Sequence, residues 1–265
     1  MKALATLTLL VLAGCSTVGD RPAVTTVMVY NIHAGKDAAG GSNLEKVAAL
    51  IAETKADIVL LQEIDRRTTR SSGVDHFEEL QRLTGFHGAF GKSLDFQGGE
   101  YGIATLSRFP ITSKSVVALD VDPPQTRAGG SKEPRVALLV TAAFPAGPIS
   151  IMNTHLDASK EDFWRLQEIA QLTRVAMESD RPRLLVGGDL NATPDSEVHK
   201  RMRAVGLSDS WTDCGTGDEK TYPASGPVKR IDYLYRDSSW KCVEASVLTS
   251  DASDHRAVIF KLIAK

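Results

Sequence analysis

Six polar groups stand where apolar runs of the chain stop. Asn31 follows Met28-Val29-Tyr30, Gln62 and Glu63 follow Ile58-Val59-Leu60-Leu61, and Asn153, Thr154 and His155 follow Ile149-Ser150-Ile151-Met152. Asp189 and Asn191 come after Leu184-Leu185-Val186-Gly187-Gly188, Asp232 interrupts Ile231-Asp232-Tyr233, and Ser253-Asp254-His255 precedes the last apolar run. A lone residue of this kind is ordinarily a turn former or a strand cap. Six at strand ends are what an α/β scaffold uses to line a cleft. Their carboxylates and amides form a hard, oxygen-rich set with room for water. Such a set suits Mg²⁺, with Mn²⁺ as a substitute, working on a phosphate oxygen. No Cys-x-x-Cys or His-x-x-x-His occurs, which disfavours zinc. Neither a P-loop, nor Gly-x-Gly-x-x-Gly, nor Gly-x-Ser-x-Gly occurs, so P-loop nucleotide hydrolysis and dinucleotide redox are excluded and a serine hydrolase has no motif.

The elements that must carry these groups follow from hydrophobic periodicity. Strand patterns fall at 27–32, 58–61, 102–106, 115–119, 136–142, 149–153, 183–186, 231–235, 241–248 and 257–262. The spacing Ser42-x-x-Glu45 predicts a capping box for a helix with Leu44, Val47, Ala48 and Ile51 on one face. Further helices are expected at 76–83, at 160–177 with Phe163, Leu166, Ala170, Thr173 and Met177 sharing a face, and just after Pro194. Strands outnumber helices about two to one, which fits two packed sheets with helices outside. No repeat or composition break divides residues 26–265, so one domain is expected.

Composition sets further bounds. The 265 residues carry 31 Lys plus Arg against 33 Asp plus Glu, and 42% are hydrophobic, the balance of a folded globular chain. A net charge of −2 gives no global attraction to polyanions, and 6% aromatics offer no stacking ladder for bases. Beyond residue 15 no apolar run approaches the roughly 20 residues of a membrane helix. Residues 1–15, with Lys2, an apolar stretch and then Leu12-Ala13-Gly14-Cys15, resemble a bacterial lipoprotein signal with Cys15 as the lipidated residue. Residues 16–25 read as a flexible tether. The expectation is an exported, membrane-anchored lipoprotein, with Ser16 favouring the outer membrane, facing the periplasm or the cell surface. Cys214 and Cys242 either pair or stay as two separate buried thiols.

Tyr30-Asn31-Ile32, Leu61-Gln62-Glu63, Leu106-Ser107-Arg108-Phe109-Pro110-Ile111, Asn153-Thr154-His155-Leu156, Gly188-Asp189-Leu190-Asn191, Ile231-Asp232-Tyr233 and Ser253-Asp254-His255 occur in a telling order. The order resembles that of the endonuclease/exonuclease/phosphatase superfamily, which includes DNase I-like nucleases, apurinic endonucleases, inositol polyphosphate phosphatases and neutral sphingomyelinases. The resemblance covers about residues 26–263 and implies a DNase I-like four-layer α/β sandwich and metal-dependent cleavage of phosphoesters. It implies Glu63 as the main Mg²⁺ ligand, Asn31 beside it on metal-bound water or phosphate, and Asp254 near the metal. Asp189 would orient or deprotonate the attacking water, and Asn191 would hold that water and a phosphate oxygen. His255, oriented by Asp232, would donate to the phosphate, and His155 would be a second phosphate-side histidine and leaving-group acid. Arg135 falls where DNase I-like members place a phosphate-contacting arginine. Three departures stand out: His33 where apurinic endonucleases carry an acid, Phe109 where DNase I has the glutamate that orients the equivalent of His155, and Gly102-Ile103 in place of Gly-Asn.

Arg66, Arg67 and Arg70 follow Glu63 closely, and either bind a second phosphate or anionic headgroup or form a solvated basic loop balanced by Asp65 and its neighbours. Phe163 and Trp164 either touch substrate or pack on their own helix. Lipid-headgroup or small organic phosphates are the favoured substrates. A nonspecific DNA or RNA endonuclease or exonuclease is the alternative. A catalytically silent lipoprotein that binds an anionic ligand is disfavoured by the presence of Glu63, Asp189, Asn191 and His255 together. The sequence indicates no protein partner.

Overall fold

The computed structural model describes residues 23–125, 132–178 and 181–265; Cys15 and most of the expected tether lie outside them. Its first six strands are β1 (Val24–Asn31), β2 (Ile58–Arg66), β3 (His87–Phe96), β4 (Gly99–Ser107), β5 (Ile111–Ala118) and β6 (Val136–Ala142). The others are β7 (Ile149–His155), β8 (Leu184–Asp189), β9 (Ser208–Asp209), β10 (Asp232–Arg236), β11 (Trp240–Val247) and β12 (Val258–Ala264). The helices are α1 (Leu44–Thr54), α2 (His76–Thr84), α3 (Phe163–Met177), α4 (Glu197–Ala204) and α5 (Ser210–Cys214). Two mixed sheets of six strands form, in the orders β11-β12-β1-β2-β4-β3 and β5-β6-β7-β8-β10-β9.

Successive side chains of a strand point to opposite faces, and here both faces are buried. Val27, Val29, Ile58 and Leu60 of the first sheet meet Leu138, Val140, Ile151, Leu185 and Leu234 of the second in the central core. The intervening Met28, Tyr30, Val59 and Leu61 face outward onto Val47 and Ile51 of α1 and Leu80 of α2. On the other side, Met152 and Val186 pack under Ile169 and Leu172 of α3 and Val198 and Met202 of α4. Four layers result, as the family resemblance implied. Among the described residues no helix is long and apolar enough to cross a membrane.

Several local expectations are corrected. The first strand takes in Val24 and Thr25, which the sequence reading assigns to the tether. No capping box closes α1: its N-cap is Asn43, whose amide donates instead to the carbonyls of Ile32, Lys36 and Ala252. Pro194 lies inside the turn before α4, closed by the Ser196 N–H on the Thr193 carbonyl, and Ser196 caps α4 by accepting from the Val198 N–H. On α3 the buried residues are Arg165, Glu168, Ile169, Leu172, Thr173, Val175 and Ala176, so of the expected face Thr173 is buried whereas Phe163, Ala170 and Met177 are exposed. An apolar pattern could not show this, because two charged residues occupy buried positions by bonding the loop before the helix. Cys214 and Cys242 form a disulfide that joins α5 to β11.

The β7–β8 pair, which ends in His155 and Asp189, rests on a backbone contact that only glycine permits. Gly188 has a φ of +137°, and a Cβ there would lie 1.9 Å from the Thr154 carbonyl oxygen. Gly188→Ala is therefore expected to cost roughly 4 kcal/mol, a drop in melting temperature of roughly 10 °C for a chain of this size. Thermal unfolding followed by circular dichroism checks this; an unchanged melting temperature would contradict the close approach of the two strands.

Candidate active site

Glu63 owes its direction to a fault in pairing. Leu61 pairs with Ala104 and Ile64 with Gly102, so Gln62 and Glu63 together oppose Ile103. This bulge re-aims the side chains. Glu63 adopts φ +60°, a left-handed conformation that costs about 1–2 kcal/mol for a residue with a Cβ. Its carboxylate faces a polar cavity of about 290 Å³, which Asp254, Asp189, Asn191, His155 and His255 also line. Gln62 turns away, into the space between the sheets, and donates to Asn153 Oδ1 at 2.8 Å. Asn153 in turn donates to the carbonyls of Leu61 and Ala104. Gln62 and Asn153 are thus buried links between the sheets, not cavity residues.

Strand register brings three further groups to one level: His155 stands opposite Asp189 on β7 and β8, and Asp189 opposite Asp232 on β8 and β10. His255 arrives from the loop before β12, where Ser253 Oγ donates to the Asn31 carbonyl and accepts from the His255 N–H. Asp189 Oδ2 lies 3.6 Å from Nε2 of both His155 and His255 and accepts from Asn31 Nδ2 at 3.1 Å. Its other oxygen accepts from the Asn191 N–H. Asn191, at φ +48°, donates its amide to the Leu156 carbonyl and stands 3.1 Å from His155 Nε2.

The two histidines are in opposite states. Burial alone would lower the pKa of His255, but Asp232, 3.0 Å from Nδ1, and Asp189 raise it to about 10, so it is an imidazolium. His155 is pushed well below the ordinary histidine value by burial and by the charges of Arg135 and His255. Arg135 Nη1 lies 3.1 Å from His155 Nδ1, and a guanidinium only donates, so Nδ1 accepts and Nε2 carries the proton; the nearby acceptor for that proton is Asp189 Oδ2 at 3.6 Å, since the Asn191 amide nitrogen beside Nε2 is itself a donor. Arg135 thus fixes the tautomer in the absence of the DNase I glutamate; Phe109 lies away from the cavity, packed on Phe144. Asp189 is raised to about 7, chiefly by burial and then by Asp232.

Glu63 and Asp254 present two oxygen donors to the cavity, and Glu63 accepts one described hydrogen bond, from Asn31 Nδ2 at 3.1 Å. This donor set fits a hard divalent cation. The Asn31 amide nitrogen bridges the carboxylates of Glu63 and Asp189 while its Oδ1 accepts from the His33 N–H, so it holds the two acids in place. Asp189, Asp232 and His255 have ligand atoms within 4.8 Å of one another. Because His255 is protonated and bonded to Asp232, a metal at this trio would first have to displace the proton.

Arg66 and Arg67 are not brought to the cavity. Arg66 pairs with Asp75, Glu78 and Glu100, and Arg67 with Glu78 and Asp75, since the acids at the start of α2 and on β4 lie nearer than the cleft. Arg70 does line the cavity, held by both oxygens of the buried Asp65 and over the rings of Phe96 and Tyr101. Phe163 and Trp164 pack edge to face on each other and do not line the cavity. Sequence reasoning missed Tyr222, whose ring centroid is 4.7 Å from that of His255, and Lys229, whose ammonium sits 4.9 Å from the Tyr222 centroid. Both lie in a stretch without periodicity, and no sequence signal marked them.

Residues 28–255 match the model of the Endonuclease/Exonuclease/phosphatase family, and the chain belongs to that family. It is 25% identical over 218 residues to the protein YbhP of Escherichia coli strain K12, covering 79% of this chain and 83% of YbhP. Among solved structures it is similar to an endonuclease/exonuclease/phosphatase from Bacteroides vulgatus, with a TM-score of 0.76 at 18% identity, over 92% of this chain and 100% of that one. It is also similar to the catalytic domain of human Nocturnin with bound sulfate, with a TM-score of 0.68 at 21% identity, over 92% and 94%. Two packed mixed sheets flanked by helices are the fold these proteins share with it.

The two histidine states are separable by nitrogen-15 NMR of the metal-free protein. At pH 8, His255 should show both ring nitrogens protonated and His155 only Nε2. Asp232→Asn removes the charge that favours imidazolium and should move the His255 titration down, toward or below its ordinary value. A neutral His255 at pH 8 in the unaltered protein would refute the assignment.

Proposed function

We propose that this protein is a divalent-metal-dependent phosphoester hydrolase, using Mg²⁺ or Mn²⁺, that acts on small organic or lipid-headgroup phosphates. The observation that carries the reading is Asp189, a buried carboxylate 3.6 Å from Nε2 of two histidines in opposite protonation states. Membership of a family of phosphoester hydrolases supports it. Asp189, with its pKa raised to about 7, is tuned to accept a proton from water near neutral pH. That water's oxygen adds to phosphorus, and the bond from phosphorus to the alcohol oxygen breaks with its electron pair. The His255 imidazolium and the Nε2–H of His155 donate to phosphate oxygens as charge builds. Neutral His155 is too weak an acid to be the main donor to the departing alkoxide, which takes its proton from solvent. Glu63 and Asp254 would hold the cation, which when bound would supply Lewis-acid stabilisation of phosphate charge.

The neutralised Arg66 and Arg67 favour small esters over a polynucleotide, because the basic loop that would track a nucleic-acid backbone is spent on acids of the chain itself. Attachment to a membrane through Cys15 and export to an oxidising compartment belong to the same proposal. The Cys214–Cys242 disulfide supports export, since such bonds persist outside the reducing cytosol.

Asp189→Asn and His255→Asn should each lower kcat/KM on any true substrate by about 10³-fold, within the range of general acid–base catalysis. Their circular dichroism should match that of the unaltered protein. Glu63→Gln should raise the Mg²⁺ concentration for half-maximal activity by at least about tenfold, the effect of losing a ligand charge. Steady-state kinetics over a metal titration checks all three; full turnover in the Asp189 and His255 variants would remove the mechanism.

A further inference from the structure

The phosphate cavity opens sideways into a larger groove of about 540 Å³, and Ala158, Asn191, Lys229 and Ile231 belong to the walls of both. Another cavity, of about 220 Å³, shares only Arg135 with the phosphate site, so the broad opening leads past Asn191. The alcohol part of an ester whose phosphate sits against His155, His255 and Asn191 has this space to enter.

The groove's chemistry is specific. Its charged lining balances, with Lys160, Arg165 and Lys229 against Glu161, Asp162 and Asp195. A balanced wall gives no field for a second anion. The remaining lining is mostly hydroxyl and amide, with alanines and Ile231 as the apolar members and no aromatic ring to stack a base. One wall is already ordered: Arg165 is held by Asp162 and by the carbonyls of Asp157 and Ser159, and Ser196 Oγ donates to Asp162. Lys160 lines the groove without an ion pair among the described residues, and Lys229, at the junction, sits over the Tyr222 ring. A charge-balanced groove that offers both donors and acceptors and no aromatic ring matches a group that carries many hydroxyls. Acyl chains and bases have no complement there.

Resting on the hydrolase reading above, we infer that the groove is the alcohol subsite and that the substrate is the phosphoester of a polyhydroxylated, uncharged alcohol, a sugar or polyol. The same chemistry occurs in free sugar phosphates and in polyol headgroups of lipids.

The test is steady-state kinetics of the full chain with Mg²⁺ on glucose-6-phosphate, on phosphatidylcholine vesicles carrying phosphatidylinositol, and on the aryl esters p-nitrophenyl and bis-p-nitrophenyl phosphate. Two variants probe the groove: Lys160→Ala combined with Asp195→Ala, and Thr193→Tyr, which fills the space without removing a charge. Both should lower the ratio of polyol-ester to aryl-ester kcat/KM by at least about tenfold, mainly through KM, the loss expected for one or two hydrogen bonds to substrate. The free ester or the vesicle, whichever shows that loss, identifies the source of the polyol. Melting temperature serves as the folding control, and either variant alone suffices if the other is unstable. An unchanged ratio while aryl esters are still turned over would overturn the subsite alone. No turnover of any ester with Mg²⁺ or Mn²⁺ would overturn the hydrolase reading and this inference with it.

Discussion

The site depends on a buried seam of amides between the two sheets. Gln62 donates across the interface to Asn153, and Asn153 returns two hydrogen bonds to carbonyls of the opposite sheet. Apolar packing alone would let two sheets slide, because it is non-directional. A buried amide that loses its partner costs about 1–3 kcal/mol, so this seam fixes one registration of the sheets. In that registration the ends of β1 and β2 come level with those of β7, β8 and β10, and Asn31 reaches both Glu63 and Asp189.

From this follows a division of charge. Asn31 holds both Glu63, the acid that the proposed mechanism assigns to the metal, and Asp189, the acid that faces the histidines. Asp232 is placed by strand register beside Asp189, which raises the pKa of both Asp189 and His255. Arg135 does the reverse to His155 by occupying Nδ1 with a permanent cation. One buried base thus lies between a charged and a neutral donor without any group needing an unusual intrinsic acidity. The strain in Glu63 is the cost of turning one carboxylate of a continuous strand into the cavity.

Much of this was legible beforehand. The strands 58–61, 136–142 and 149–153 were visible because burial on both faces demands unbroken apolar runs, and the polar residues that close them mark the site. The edge strand β3 was not, because His87–Phe96 is half exposed and contains Gly88, Gly91 and Asp95, which carry no strand signal. The buried face of α3 was misjudged for a related reason: Arg165 and Glu168 are buried through hydrogen bonds that hydrophobicity does not register. In the site, residue types announced Glu63, Asp189 and His255. They did not show that Asn31 bridges two carboxylates, which is a matter of which amide atom faces the acids. Nor did they tell Arg70, which reaches the cavity, from Arg66 and Arg67, which the acids of α2 and β4 claim first.

The central claim is that water, activated at Asp189, attacks phosphorus. Hydrolysis of a phosphomonoester in oxygen-18-labelled water, with the released phosphate analysed by mass spectrometry, tests it most directly. The account predicts one labelled oxygen in each phosphate released and none in the alcohol. Label in the alcohol would mean that the carbon–oxygen bond breaks instead, and the roles given to Asp189, His155 and His255 would fall together.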